Sequence, residues 1–278
     1  MTDDSRGEEA PIVPPLADGL PPMSILIDYD GTISLTDVTE QILAEHVPGV
    51  WEDEEANYDA GRMGSRRLLA WEVSLIDADP AALRATAAAQ PHDPGFVAFA
   101  RWATAAGIPV EIVSDGYGFF IAPALKALGV GDLPVVTART TFSGRRASIE
   151  FPNGHPTCLV CGTCKRQRVL AHRASGRQVV YVGDGESDRY AAGYSDVIFA
   201  KRSLERICLE AGWPFHRWTA FSEIDAWLAG TLAAWADDPS SFPALAANAP
   251  PPRGWFCGPE VWGEGLVDPP PGSWPPKT

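Results

Sequence analysis

The run Ser24-Ile25-Leu26-Ile27-Asp28-Tyr29-Asp30-Gly31-Thr32 constrains the fold more than any other stretch of the chain. Its apolar segment reads as a strand, and it ends in two aspartates one residue apart. Residues i and i+2 of a strand point to the same side. Gly31 then permits the sharp turn that must follow. Two carboxylates are thereby delivered together to the rim of a sheet, where a cation and a phosphate can meet them.

The rest of the chain continues the pattern. Further apolar β-type runs occur at Val110–Ser114, Leu133–Thr137, Gln178–Val182 and Val197–Ala200. They alternate with helix-like stretches at Ala98–Ala106, Phe119–Leu128, Lys165–Arg173, Asp188–Ser195, Leu204–Ala211 and Ile224–Trp235. Apolar strands separated by helices imply an α/β fold with a parallel sheet covered on both faces. One interval breaks the rhythm. Between Thr36 and about Gln90 there is no convincing strand, only the helix-like segments Asp37–His46, Ser65–Ile76 and Ala81–Ala89. This interval reads as a small helical insertion above the sheet. A hairpin is expected over Thr140–Phe151, turning at Ser143-Gly144. The expected organisation is a disordered acidic, Pro-rich segment (1–22), a core formed by 23–36 and 91–238, a helical cap (37–90) and a Pro/Trp-rich tail (239–278). Trp255, Trp262 and Trp274 of that tail are expected on the domain surface.

Composition narrows the partners. The 278 residues carry a formal charge of −14. Nucleic acid and anionic membranes both require a basic footprint, so neither is an expected partner. An anionic substrate must then be held by local positive charge. No apolar run approaches the roughly 20 residues a transmembrane helix needs, and residues 1–22 contain no signal-peptide core. Five cysteines, an odd number, argue against a secreted disulfide framework. A soluble cytoplasmic protein is expected.

Four polar features follow in order, each at a strand end or a helix start: Asp28-x-Asp30-Gly31-Thr32, Ser114-Asp115-Gly116, Lys165, and Gly183-Asp184-Gly185-Glu186-Ser187-Asp188. In an open α/β sheet ligands bind beyond the carboxyl ends of the strands, so all four can converge on one crevice. Magnesium takes hard oxygen ligands and usually keeps several waters. Asp28, Asp184 and a backbone carbonyl near Asp30 can supply the protein share, with Asp188 a further candidate. Phosphate needs donors, which the Ser114 hydroxyl, the loop N–H groups and the Lys165 ammonium can provide. Thr32, Asp115 and Gly116 fall on the substrate side of this set. Asp28 can act as a carboxylate nucleophile that becomes an aspartyl-phosphate. Asp30, off the metal, can protonate the leaving alcohol and later activate water.

These motifs resemble those of the haloacid-dehalogenase-like (HAD) superfamily of phosphohydrolases, over about residues 24–235. The resemblance implies a HAD-type Rossmann-like core with a parallel sheet flanked by helices, plus a small helical cap inserted after the first strand. It also implies a strand order that reverses beside the first strand, setting the Asp28 and Asp184 loops side by side. In that frame Asp28 is the nucleophile, Asp30 the acid/base, Ser114 the phosphate-binding hydroxyl, Lys165 the cation that steadies phosphate and nucleophile, and Asp184 the acidic Mg2+ ligand. Asp188 becomes a nearby ligand or a supporting partner. Asp30 favours phosphate monoester hydrolysis, because the superfamily's dehalogenases and phosphonate hydrolases lack the second aspartate and its ion pumps carry Thr there. Ile33–Leu43, Ile112–Leu125, the hairpin ending at Phe151-Pro152 and Cys158–Lys165 are similar to the phosphoserine-phosphatase-like branch. That branch contains the methionine-salvage phosphatases. The expected substrate is a small phosphorylated metabolite. Two rival activities are phosphoryl transfer to an alcohol acceptor on the same core, and a catalytically silent metabolite-binding protein.

Some features keep more than one reading. Asp188 and Ser187 also suit the N-terminus of the following helix, as a stabilising negative charge and an N-cap. Cys158, Cys161 and Cys164, with His155 nearby, have spacings that can bind a metal. They equally suit a tight loop of reduced thiols, or a redox-sensitive thiolate beside Lys165. In the insertion Glu40, Arg62, Arg66, Arg67 and Trp71 are substrate-contact candidates, Glu40 foremost, against a plain solvated helix surface. His46, His92, His172 and His216 show no ligand spacing and read as structural.

Overall fold

A computed structural model describes residues 13, 19–47, 49, 51, 58, 64–156, 158 and 160–241. The expected disordered segment lies largely outside the described residues, as do Arg62 and all but the first three residues of the expected tail.

Six strands form one parallel sheet: β1 (Met23–Ile27), β2 (Val110–Val113), β3 (Val135–Val136), β6 (Gln178–Gly183), β7 (Val197–Ala200) and β8 (His216–Arg217). Their spatial order is β3-β2-β1-β6-β7-β8, and every neighbouring pair runs parallel. The order reverses between β1 and β6, so the loops carrying Asp28 and Asp184 leave adjacent strand ends. The unbroken apolar run of β1 has its cause in the two faces of the sheet. Ile25 and Ile27 join one buried cluster and Leu26 the opposite one. In β6, Val180 and Val182 share the first face while Val179 and Tyr181 share the second, as a period of two requires. The first face is covered by α4 (Phe96–Ala105), α5 (Ile121–Ala127) and α9 (Phe221–Asp237); α6 (Lys165–Ala174), α7 (Arg189–Ala192) and α8 (Arg202–Ala211) cover the second.

Between β1 and β2 lie α1 (Val38–His46), α2 (Ser65–Leu75) and α3 (Pro80–Ala88). Asp37 caps α1 by accepting the Glu40 N–H, and Asp79 caps α3 by accepting that of Ala81, each serving an orphan donor of the first turn. The insertion leaves and re-enters the core on paired segments: Leu35 donates its N–H to Pro91 O (2.8 Å) and Asp93 donates its N–H to Ile33 O (2.9 Å). The hairpin is formed by β4 (Arg139–Ser143) and β5 (Arg146–Glu150). It is tied to the insertion, since Asp77 forms an isolated bridge with Arg146 and Arg145 Nε donates to Asp77 Oδ1 (2.8 Å).

Two elements depart from the sequence reading. The expected helix Asp188–Ser195 is a 3-10 turn over Glu186–Asp188 followed by the single turn of α7. The edge strand β8 was not expected, because its two exposed polar residues carry no hydrophobic pattern.

Candidate active site

The floor of the site is the carboxyl end of β1, β2 and β6. Lys165, the first residue of α6, is 2% exposed at its side chain, and its Nζ donates to Asp28 Oδ1 (2.7 Å), Asp188 Oδ1 (2.7 Å) and Ser187 Oγ (3.0 Å). Its helix is fixed to the sheet two ways. Arg168 forks onto both oxygens of buried Glu111 on β2 at 2.7 and 2.6 Å, and His172 Nε2 lies 3.3 Å from the same carboxylate. Burial disfavours the Lys165 ammonium, but Asp188 and Asp28 outweigh it and push its pKa up.

Asp28, Asp184 and Asp188 each offer a carboxylate oxygen within 4.8 Å of the others. Burial first, then Asp188, raise the Asp28 carboxyl well above its usual range despite Lys165. The same two causes push Asp184 up to about 6, opposed by Arg202. Three clustered carboxylates thus exceed the charge of the ammonium among them. Hard oxygen donors with surplus negative charge suit Mg2+, so the residues fit the expected metal.

The three members have distinct surroundings. Asp28 Oδ1 is held by Lys165, while Oδ2 takes no hydrogen bond from the described residues. Asp184 Oδ1 accepts from Thr32 Oγ1 (3.1 Å) and Oδ2 from Arg202 Nη1 (3.1 Å). Both oxygens of Asp188 are committed: Oδ1 to Tyr181 OH (2.6 Å) and Lys165, Oδ2 to the N–H groups of Asp184 and Gly185 (2.9 Å each). Asp188 makes no side-chain cap bond to the helix that follows it. It belongs to the acidic cluster and it ties down its own loop. Gly31 is required here, for its φ is +70° and a Cβ would lie 2.2 Å from Asp184 Oδ2.

Asp30 is turned away from this cluster. Its carboxylate is not among the three grouped ones, so any share of Asp30 in holding a metal falls to its main-chain carbonyl. The physical reason is the start of α1: Oδ1 accepts the Val38 N–H (3.0 Å), one of the helix's orphan donors. Burial first, then Asp37 and Asp28, raise the Asp30 carboxyl well above its usual range. A carboxyl raised in this way is shifted in the direction that general-acid work needs.

These groups open on a cavity of about 290 Å³ between the sheet end and the insertion. Asp28, Asp30, Asp115, Glu40, Lys165 and Asp184 line it, as do Leu43, Tyr58, Leu68, Leu69 and Glu72 from the insertion. Thr32, Ser114 and Gly116 are not in the lining. Thr32 is fully buried and acts on Asp184 instead. Ser114 is fully buried too, and its Oγ has no hydrogen-bond partner among the described residues. Asp115 is a bridge: Oδ1 accepts the Thr163 N–H (2.8 Å), two residues before Lys165, and Oδ2 accepts Ser65 Oγ at the start of α2. Arg66, Arg67 and Trp71 do not line the cavity; the Arg66 guanidinium lies over the Phe151 ring (5.2 Å). Among the described residues the thiols of Cys158, Cys161 and Cys164 form no metal-type cluster. Burial first, then Asp115, pushes the Cys161 thiol up, away from thiolate character. The four histidines are engaged elsewhere, His46 with Thr86 and His92 with Tyr29, for example.

Sequence reasoning did not single out Asp37, Thr39 or Arg202, which also line the cavity. Arg202 carried a signal only in space: it is a non-glycine residue at φ 50°, held against Asp184 and donating to Leu35 O (2.9 Å).

The sequence pattern of the haloacid dehalogenase-like hydrolases matches residues 25–193. This chain belongs to that family. Similar curated proteins include a 2-hydroxy-3-keto-5-methylthiopentenyl-1-phosphate phosphatase of Geobacillus kaustophilus, 30% identical over 209 residues, covering 72% of this chain and 92% of the relative. Another of the same name, from Brevibacillus brevis, is 25% identical with the same two coverages. Among solved structures, a substrate-bound phosphoserine phosphatase superposes with a TM-score of 0.57 at 17% identity, over 74% of this chain and 97% of the other, a likeness of fold. Family and relatives make the chain an enzyme, a phosphoric monoester hydrolase. Among the described residues no helix is long and apolar enough to cross a membrane.

Proposed function

We infer that this chain is a Mg2+-dependent cytoplasmic phosphatase acting on a small phosphorylated metabolite through a phospho-Asp28 intermediate. One observation carries the reading: Lys165 Nζ holds Asp28 Oδ1 at 2.7 Å, leaving Oδ2 open, and Asp30 lines the same cavity with its carboxyl raised by burial, Asp37 and Asp28. Asp28 Oδ2 attacks the phosphorus, and Asp30 donates its proton to the departing alkoxide. The resulting carboxylate of Asp30 then takes a proton from the water that cleaves the acyl-phosphate. Mg2+ would be held by Asp28, Asp184 and the main-chain carbonyl of Asp30, with Asp188 bracing them, and supplies charge neutralisation for the phosphoryl group. Lys165 contributes further positive charge at the same oxygens. Because phosphate monoester hydrolysis is accelerated by up to ~10²¹-fold, charge stabilisation must carry most of the effect.

The insertion serves as the cap. A cavity of about 290 Å³ suits a small metabolite. Leu43, Leu68 and Leu69 offer it an apolar wall, with Glu40 and Glu72 as polar contacts. The named activity of the curated relatives makes 2-hydroxy-3-keto-5-methylthiopentenyl-1-phosphate the first substrate to try.

A screen of phosphorylated metabolites for phosphate release, with Mg2+ and then with chelator, tests this reading. Release is expected only with the metal. Asp28→Asn should abolish it while leaving the unfolding transition intact, and Asp30→Asn should leave slow phosphorylation without efficient hydrolysis. Wild-type rates in either variant would defeat the corresponding role.

A further inference from the structure

We propose that Thr39 is a further substrate-binding residue, its hydroxyl donating together with Ser114 Oγ to the phosphoryl group. This rests on the phosphatase reading and adds to it a donor from the insertion.

Thr39 is the second residue of α1 and only 9% exposed, yet its Oγ1 has no hydrogen-bond partner among the described residues. As the second residue of its helix, Thr39 has no helical carbonyl four residues back to which its hydroxyl could return. Leaving a buried hydroxyl unpaired is unfavourable, so the position calls for a partner that arrives with the ligand. Ser114 Oγ, on the floor, is orphaned in the same way.

The two orphans meet at one place. A Cβ built on Gly116 would lie 3.4 Å from Thr39 Oγ1, 3.3 Å from Ser114 Oγ and 2.7 Å from Asp30 Oδ2. No two of these oxygens can therefore be more than about 7 Å apart. That upper limit is compatible with both hydroxyls reaching different oxygens of one phosphate through hydrogen bonds of about 2.7 Å. Gly116 keeps the cradle clear. Thr39 reaches it from the insertion and lines the cavity; Ser114 reaches it from the end of β2. A phosphoryl group seated there would join insertion to core beside the acid that protonates its leaving oxygen.

The test uses the full chain with Mg2+ and two probes, inorganic phosphate binding by calorimetry and p-nitrophenyl phosphate hydrolysis. Thr39→Val is isosteric and removes only the hydroxyl; Thr39→Ser keeps it. The valine variant should bind phosphate about tenfold or more weakly, as expected for a lost hydrogen bond to a charged group. Its kcat/KM should fall by at least as much, with an unchanged melting transition. The serine variant should stay within about threefold of the parent on both probes. If the valine variant fails to fold, Thr39→Ala takes its place in the comparison. A valine variant equal to the parent, or a serine variant damaged as badly as valine, overturns the proposal. If the parent hydrolyses no monoester, the phosphatase reading fails, while the phosphate titrations still decide on Thr39. A parent that binds no phosphate overturns both.

Discussion

The carboxyl end of the sheet and the helical insertion face each other across one cavity, yet their polar groups are held in different ways. On the sheet side the contacts are dense and closed. Lys165 binds two carboxylates, Asp188 uses both oxygens on four donors, and Thr32 steadies Asp184. Beside the cavity the ties of the insertion to the core are single bonds, Val38 N–H to Asp30, Ser65 Oγ to Asp115, Arg66 N–H to Val160 O (3.2 Å) and Tyr117 OH to Glu72 (3.2 Å), and farther out Asp77 is held by Arg145 and Arg146 of the hairpin. The floor is preorganised and holds its charges at a fixed spacing, as electrostatic catalysis requires. The roof joins the core through paired linkers, Leu35 to Pro91 and Asp93 to Ile33.

The largest expected effect comes from breaking the floor. Lys165→Met leaves Asp28 and Asp188 buried without their shared cation. Removing one partner of a buried pair costs about 3–5 kcal/mol, and urea unfolding in chelator should show a loss of that size. Mg2+ should restore part of it, because an ion bound only by the folded state stabilises by mass action. A loss no greater than that of Ser65→Ala, which removes a single tie of the roof, would erase the distinction between the two sides.

A smaller effect is expected at the seam, where Asp37 caps α1 and faces the cavity. Burial first, then Glu40, pushes its pKa up to about 6. The folded chain therefore holds a proton that the unfolded chain has already lost, and stability falls as pH rises from about 4 through 6. Asp37→Asn keeps the capping oxygen and removes the charge. In urea unfolding the variant should gain least over the parent near pH 4 and more at pH 8, where its unfolding free energy should be higher by on the order of 1–2 kcal/mol. An equal difference at both pH values would show that the charge at this seam carries no strain.

How much of this could be read from the sequence follows the same division. The floor was legible because its chemistry is written in short spacings at strand ends, and the rule that ligands gather at the carboxyl edge brings Asp28, Ser114, Lys165 and Asp184 to one side. The Asp30 carboxylate was harder. Strand alternation sets it on the side of Asp28, but the turn at Gly31 and the orphan N–H of Val38 draw it to α1. The helices of the insertion were legible from their patterning, but their inward faces were not. Arg66 and Trp71 stand out in the sequence and lie off the cavity, while Leu68, Leu69 and Glu72 of the same helix line it. Which turn of α2 points down is decided by its docking on Asp115 and Val160, contacts with residues far along the chain. Thr39 carries no sequence signal at all, since an unpaired hydroxyl exists only in three dimensions.

The finest test of the comparison lies at the floor's one exposed member. Arg202 is 52% exposed at its side chain and holds Asp184 Oδ2, the only one of that carboxylate's two oxygens not given to buried Thr32. A divalent ion taking an oxygen of Asp184 displaces the guanidinium at less cost than it displaces Thr32, because solvent can receive the charged group. Arg202 therefore acts as a weak competitor for the cation, and Arg202→Met, which keeps the length of the side chain and removes the charge, should tighten binding. Surface charge interactions of this kind are worth up to about 1 kcal/mol, several-fold in affinity. Mn2+ titration followed by electron paramagnetic resonance reads that change without turnover, and the gain should shrink at high salt. A variant that binds Mn2+ more weakly than the parent would make Arg202 a fixed brace of Asp184, and the floor would then be closed on every side.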